Sequence, residues 1–289
     1  EVSLDFDWVT QRQSGAGRNP KGGTLGSDIL PAINADWSAD PFTSFADIKG
    51  FQHKDISGGS LTLRKHLPFG ELTVISARRQ HDFRFLNDDL AISLNEFTLD
   101  ILNGADETSR QISHEVQLAC TMAEDWDVIF GLYYLQENND RLEFFSANIV
   151  PTGTSWQLNR TTSYAAYSHA IFRLNSATNF TLGARYTKDK KKIAQKGSAG
   201  FVISDDYDVS NKKQWQHFSP KIAIDYKVND ANLLYLSYGK GFKSGGFQGQ
   251  APTALAATLP FDEETAVNIE IGFKRQYRKT NSWLHITLF

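Results

Sequence analysis

The 289 residues carry a formal net charge of −3 with Lys and Arg scattered along the chain, so there is no basic footprint for nucleic acid. Hydrophobic residues at 40% and charged residues at 22% exclude a disordered polar chain. A single cysteine, Cys120, excludes a disulfide-stapled module, and the longest nearly uninterrupted apolar run, Val128 to Leu135, falls far below the ~18 residues a spanning helix needs.

Twenty Phe, ten Tyr and six Trp against one Met mark an aromatic-rich chain that would enter a membrane only as strands. Alternation begins at once, in Val2-Leu4-Phe6-Trp8, with neither an initiator Met nor an apolar leader before Glu1. The sequence is therefore read as a fragment starting in mid-strand. A vaguer strand follows at Ile48 to Lys54, then clearer ones at Leu61 to His66, Leu72 to Arg79, Ile112 to Ala119 and Trp126 to Glu137. Further ones are predicted at Tyr164 to Leu174, Phe180 to Lys188, His217 to Val228, Leu233 to Phe242, Ala266 to Lys274 and Ser282 to Phe289. That makes about twelve strands, and helix-period stretches are nearly missing.

The connections fall into two alternating kinds. Short ones are expected at Leu67 to Gly70, Thr121 to Asp125, Asn175 to Thr178, Asn229 to Ala231 and Tyr277 to Asn281. Long irregular ones are expected at Gln13 to Asp47, Asp82 to Ser109, Asn138 to Asn159, Asp189 to Lys213 and Lys243 to Glu263. Tight turns at one end and long loops at the other characterise an outer-membrane barrel, with periplasmic turns and extracellular loops. A half-buried strand of a large soluble β protein gives the same alternation, but it has no reason to segregate its turns.

The fold class is thus read as all-β, an antiparallel transmembrane β-barrel. A Lys or Arg on the lipid face near the midplane costs about 2–4 kcal/mol, whereas one facing the lumen stays hydrated. On that ground Arg185, Lys221, Asp225, Glu270 and Lys274 are assigned to the lumen, and Glu115 is counted with the lumen charges. Trp8, Trp126, Tyr186, Tyr226 and Tyr238, near strand ends, suit interfacial girdles. Aromatics in the long connections, Trp37, Phe42 and Phe45 in the first and Phe144, Phe145 and Trp156 in the third, are candidates for ligand binding, beside the reading that they only pack the loops together.

Motifs for chemistry are absent. Gly239-Lys240-Gly241-Phe242-Lys243-Ser244-Gly245-Gly246 is no phosphate loop, because Phe242 precedes Lys243 and Ser244 sits where the last glycine belongs. The seven histidines lack metal-ligand spacing, and there is no G-x-S-x-G elbow. Acidic runs at Asn87-Asp88-Asp89 and Asp205-Asp206-Tyr207-Asp208 lack a calcium-loop pattern and read as solvated loops. Lys188, Lys190, Lys191 and Lys192 read as a hydrated rim, or as contacts to lipopolysaccharide phosphates or an anionic ligand. No metal, cofactor or enzymatic role is assigned.

Several strings, in order, carry a family resemblance. Tyr235-Leu236-Ser237-Tyr238-Gly239-Lys240-Gly241-Phe242-Lys243-Ser244-Gly245-Gly246-Phe247 resembles the strand-to-loop signature of TonB-dependent receptor barrels, centred on Gly241, Phe242, Lys243, Ser244, Gly245 and Gly246. Pro260 to Thr265 leading into Asn268 to Lys274, Ile112 to Leu118, Thr181 to Thr187 and Phe218-Ser219-Pro220-Lys221 are similar to other strands of that family. The resemblance implies a barrel of about twenty-two strands filled by an N-terminal plug. Residues 1–289 would then be a partial barrel domain lacking the plug and the C-terminal strands.

The function so implied is an outer-membrane receptor of a Gram-negative bacterium, monomeric when complete, surrounded by outer-membrane lipids. It would import a scarce nutrient, most often a ferric siderophore, with energy from the TonB complex reached through the absent N-terminal region. A passive porin and a soluble ligand-binding β protein are the alternatives.

Overall fold

The computed structural model describes residues 1–15, 48–94 and 97–289. Eleven strands form one antiparallel sheet in strict sequence order: β1 (Val2–Ser14), β2 (Phe51–Leu67), β3 (Gly70–Leu94), β4 (Phe97–Ala123), β5 (Trp126–Ala147), β6 (Val150–Asn175), β7 (Thr178–Ser198), β8 (Tyr207–Asn229), β9 (Asn232–Lys243), β12 (Glu264–Tyr277) and β13 (Ser282–Leu288). Between β9 and β12 the chain makes a two-stranded ribbon, β10 (Gly246–Phe247) with β11 (Pro260–Phe261), and one short helix, α1 (Ala254–Thr258). No helix among the described residues is long and apolar enough to cross a membrane.

Two sequence expectations need correction. The predicted strands at Ile48 to Lys54 and Leu61 to His66 are one strand, β2, which runs unbroken through Gly58-Gly59-Ser60. The strand passes both glycines because each accommodates a neighbour: Asp7 and Arg79 close over Gly58, and the Phe6 ring lies against Gly59. The connections Asp82 to Ser109, Asn138 to Asn159 and much of Asp189 to Lys213 are not irregular but continue the hairpins. Strands β3 to β6 reach 22 to 27 residues, whereas about 9–11 suffice to cross the hydrocarbon. The remainder projects beyond the apolar zone, where water wets both faces and backbone pairing persists without an apolar alternation.

All five short connections lie where expected, at one end of the sheet. Asn281, with φ 48°, takes the left-handed position in the last of them, which Asn tolerates better than most residues. Side-chain dipoles close the tight turns: the Asn175 and Asn229 carboxamides accept from the Ala177 and Ala231 amides, at 2.9 and 3.0 Å.

The register divides the wall into two faces of opposite chemistry. On the outer face, Trp126, Phe172, Phe180, Ile224, Leu236, Ile271 and Leu288 share one cross-strand row. Leu132, Leu182, Ile222 and Ile269, on the same face, are 49–62% exposed. So continuous an apolar surface requires a hydrocarbon solvent. Higher up comes an aromatic row, with His114 stacked on Tyr134 at 6.1 Å and Tyr134 against Tyr164 at 5.2 Å. The opposite, inner face carries Glu115, Arg185, Lys221, Asp225, Glu270 and Lys274, the six lumen candidates.

Glycine opposite a ring recurs along the wall. Tyr167 lies over Gly131, Tyr235 over Gly272 and Tyr207 over Gly197, each pair in direct register. A ring laid across a glycine shields the strand backbone and fixes register, as when aromatic residues rescue glycines in designed sheets.

Candidate functional site

The segment from Ser244 to Glu263 lies against the inner face. Its core is small: Ile203, Tyr207, Ala251 and Ala257, with Phe145, Val209, Ala254 and Ala256 around them. Helix α1 begins at Thr253, whose hydroxyl accepts from the Ala256 amide at 3.2 Å.

Irregular backbone leaves carbonyls unpaired, and wall side chains supply the donors. Gln195 donates to the Gln248 carbonyl at 2.5 Å, Tyr207 to Ala251 at 2.7 Å, Asn211 to Thr258 at 2.7 Å and Ser155 to Gly249 at 3.3 Å. The far end is closed by the Lys213–Asp262 ion pair at 2.7 Å and by a hydrogen-bond contact of 3.3 Å between His217 Nδ1 and the Glu263 carboxylate. The loop is thus strapped to β6, β7 and β8 over the inner face.

Beneath it sits a buried ionic cluster. Glu143, only 1% exposed, pairs with Arg141 at 3.1 Å and accepts from Gln250 at 2.6 Å. Arg141 also reaches Glu107 at 2.6 Å, and Asn139 donates to the other Glu107 oxygen at 2.6 Å. Charges so deep persist only when paired and hydrogen-bonded, as these are.

A second group lies at the base of the strap. Lys191 and Lys213 stand directly opposite each other on the inner face, with ammonium groups 5.9 and 5.3 Å from the Trp215 ring centre. Burial pushes the Lys191 ammonium below its ordinary value. Phe247 meets Trp215 edge-on at 6.2 Å, and Phe242 stacks on His217 at 4.3 Å. Four polar atoms here, Trp215 Nε1, His217 Nε2, Ser244 Oγ and Glu263 Oε2, are buried without a hydrogen-bond partner. Trp215 and His217 are themselves each only 6% exposed, so this group packs the base of the strap against the wall.

The signature residues take structural parts in this arrangement. Gly241 lies in β9 beside Phe242, Lys243 ends the strand, Ser244 is among the unpaired groups, and Gly245 lies against the Trp215 indole and the Phe261 carbonyl. Gly246 pairs with Phe261 in the ribbon. Of the lumen candidates, Glu115 accepts from the Tyr167 hydroxyl at 2.5 Å, and Arg185 lies 5.4 and 5.5 Å from the Tyr133 and Tyr167 rings. Lys274 lies 5.1 Å from the Tyr235 ring, and Glu270 accepts from Asn268 at 2.7 Å. Lys221 and Asp225 share their face without meeting the others.

The aromatic candidates do not gather. Trp37, Phe42 and Phe45 lie outside the described residues. Phe144 and Trp156 stand on strands with their side chains on the outer face, Trp156 donating to Asp140 at 2.8 Å and Phe144 covering Gly104. Phe145 turns inward onto the core under the strap. Trp215, His217 and Glu263 escaped the sequence reading of the site. Extending the alternation of Lys221 and Asp225 six residues upstream would have placed His217 and Trp215 on the same face.

Among the described residues no three His, Cys, Asp or Glu side chains gather as metal ligands. In the acidic run, Asp206 accepts from the Ala199 amide and Asp208 pairs with Lys196.

A wall with an apolar outside, a charged inside and a strap over its inner face is the wall of an antiparallel transmembrane β-barrel. The family model "TonB dependent receptor-like, beta-barrel" matches residues 3–289, and the chain belongs to that family, whose members are transporters rather than enzymes. No curated protein sequence matches it.

Solved structures of similar fold include the ferric yersiniabactin uptake receptor FyuA from Yersinia pestis, with a TM-score of 0.74 and 17% identity over 96% of this chain and 40% of that one. The siderophore receptor PiuA from Acinetobacter baumannii follows, with a TM-score of 0.71 and 13% identity over 99% and 46%. The ferric-catecholate import receptor Fiu from E. coli K12 has a TM-score of 0.68 and 14% identity over 95% and 46%. The chain spans less than half the length of these receptors.

Proposed function

We propose that this chain is part of the barrel of an outer-membrane importer in a Gram-negative bacterium, and that the complete protein takes up a ferric siderophore with energy from the TonB system. The observation carrying this reading is the wall itself, an apolar exterior backed by a charged inner face, in a chain that the family of TonB-dependent receptor barrels covers over residues 3–289. The three receptors of similar fold are named for ferric yersiniabactin uptake, for siderophores and for ferric-catecholate import. A plug domain and further strands lie elsewhere in the full polypeptide on this reading. Glu115, Arg185, Lys221, Asp225, Glu270 and Lys274 then face the plug or the wet passage, and Phe145 remains the inward member of the described aromatic candidates.

The test is growth and radioactive-iron uptake on a panel of ferric chelates, with and without the gene, in cells with and without a working TonB protein. Gene-dependent uptake of one chelate that stops without TonB is expected. Uptake persisting without TonB would make the protein a passive pore. Charge reversal at Glu270 is expected to lower uptake; unchanged uptake removes that residue from the passage.

A further inference from the structure

The strap from Ser244 to Glu263 crosses the inner face in two limbs, and both are tied to the wall. The first limb passes over the strands in turn, with Gln248 held by Gln195 of β7, Gly249 by Ser155 of β6 and Gln250 by Glu143 of β5. The second limb follows β8, where Ala251, Thr258, Asp262 and Glu263 meet Tyr207, Asn211, Lys213 and His217 in the same order. Those four β8 residues lie on one face and span ten residues, about 33 Å of strand. A lid that swings has a free limb and a hinge. Here the ties are spread along both limbs.

The neighbouring connection is fixed to the same body. The Ser204 amide donates to the Pro252 carbonyl and the Phe201 amide to the Pro151 carbonyl, each at 2.8 Å. The strap, the β7–β8 connection and the start of β6 are thereby joined. At the centre Ile203 is 1% exposed, and Ala251 and Ala257 are fully buried. Beside Ile203, Val202 holds φ at 73°, a strained value for a β-branched residue. Such strain persists only where the surroundings over-determine the backbone, which suits a fixed body rather than one that opens and closes.

We propose that the strap is a stationary constriction and not a lid. It stays on β5 to β8 throughout import, and the gap between it and the rest of the lumen sets the largest ligand admitted. The proposal rests on the import reading above. The ties of both limbs fall on one side of the lumen, so the bulk of the strap, helix α1 included, is space denied to a passing ligand.

The test uses the complete protein in cells. The Lys213 ammonium and the Asp262 carboxylate meet at 2.7 Å between wall and strap. In a C120A background, K213C/D262C is joined by a short bifunctional methanethiosulfonate. Each thiolate displaces one methanesulfinate, and reductant reverses the link. Mass spectrometry of the joined peptides measures the linked fraction. Uptake of the gene-dependent ferric chelate should run at one rate, linked or reduced. Uptake that stops on linking and returns with reductant would make the strap a moving lid and overturn the proposal.

Q195A/N211A/Q250A cuts three ties and leaves the Glu143–Arg141 pair in place. In a series of ferric chelates of graded size, this variant should admit larger members than the unaltered protein does; an unchanged size limit overturns the proposal. Heat-modifiable migration on gels shows that the variant still forms its barrel. A last readout needs no transport. Helix α1 has only five residues, too few to persist alone, so slow exchange of its Ala257 and Leu259 amides reports that the strap is held. In the purified protein they should exchange as slowly as the adjoining stretch of β8, and faster in the triple variant. Fast exchange in the unaltered protein overturns the proposal whether or not a chelate is imported. Slow exchange without uptake of any chelate refutes the import reading instead and leaves a fixed strap with no ligand to select.

Discussion

Glu143 concentrates most of what a single residue does here. Its carboxylate is almost fully buried, neutralises Arg141 and holds the Gln250 side chain of the strap. Replacing it with Ala leaves Arg141 with Glu107 as its remaining carboxylate partner and removes one of the ties that hold the loop. The expected local cost is about 2–3 kcal/mol, since removing one partner of a buried pair strands the other. Hydrogen exchange at residues 248–252 should accelerate by on the order of tenfold or more while the lower strands keep their protection; unchanged protection would show that the strap is held without it. Acid acts on a different residue. Hydrogen bonds from Thr108 and then Gln80 hold the Asp82 carboxyl below its ordinary 3.8. Because the folded value is depressed, its stabilising contribution is present above about 3.8 and disappears as pH falls through the folded value. Exchange in the upper β3–β4 hairpin should rise below that range, and D82N should flatten the dependence, which a pH series of exchange rates would reveal.

At the scale of elements, the strap depends on the close approach of Gly245 to its surroundings. A Cβ there would collide with the Phe261 carbonyl and the Trp215 indole, and a carbonyl in a paired ribbon cannot move aside cheaply. Gly245→Ala should cost about 1–3 kcal/mol of overpacking, speed protease cleavage within 244–263 and shift Trp215 emission to the red. Gly239→Ala meets nothing within 4 Å and should change neither readout. The contrast between the two glycines also shows how far the sequence could be read. Alternation recovered the paired cores of the strands, all five turns and the shared face of the charged candidates opposite the apolar one, because in the apolar zone every outward side chain must be hydrophobic. Above that zone both faces are wet. The segments around Asp82 to Ser109 then lose their alternation while their backbones go on pairing, and they read as loops. The two halves of β2 read as separate because the stretch between Lys54 and Leu61 holds one apolar residue, Ile56, and no alternation, although Asp7, Arg79 and Phe6 close over its glycines. The strap's anchors were illegible for another reason. Side chains such as Gln195 and Asn211 donate to carbonyls 53 and 47 residues away, and a carbonyl carries no residue identity to read.

At the scale of the whole molecule, the free edges of the sheet decide its behaviour. Among the described residues the eleven strands run in sequence order from β1 to β13, and those two do not pair with each other. Among those residues each offers a row of unpaired backbone groups, and β1 adds Val2, Leu4, Phe6 and Trp8 at 63–80% exposure on its outer side. An apolar edge of that length is a template for further pairing, which natural barrels remove by closure. The 289-residue chain refolded alone in detergent micelles should therefore associate edge to edge. Cross-linking should trap dimers and larger species, and gels should show no heat-modifiable monomer. The same residues within the full polypeptide should migrate as a compact monomer until boiled. A heat-modifiable monomer from the chain alone would mean that β1 and β13 can meet, closing a smaller barrel. Its strand number and tilt would then have to accommodate the register recorded across the other strands. Proline placed at outward-paired positions of β1 separates the two cases: it should suppress edge association of the isolated chain, and it should block closure if closure is what forms the monomer.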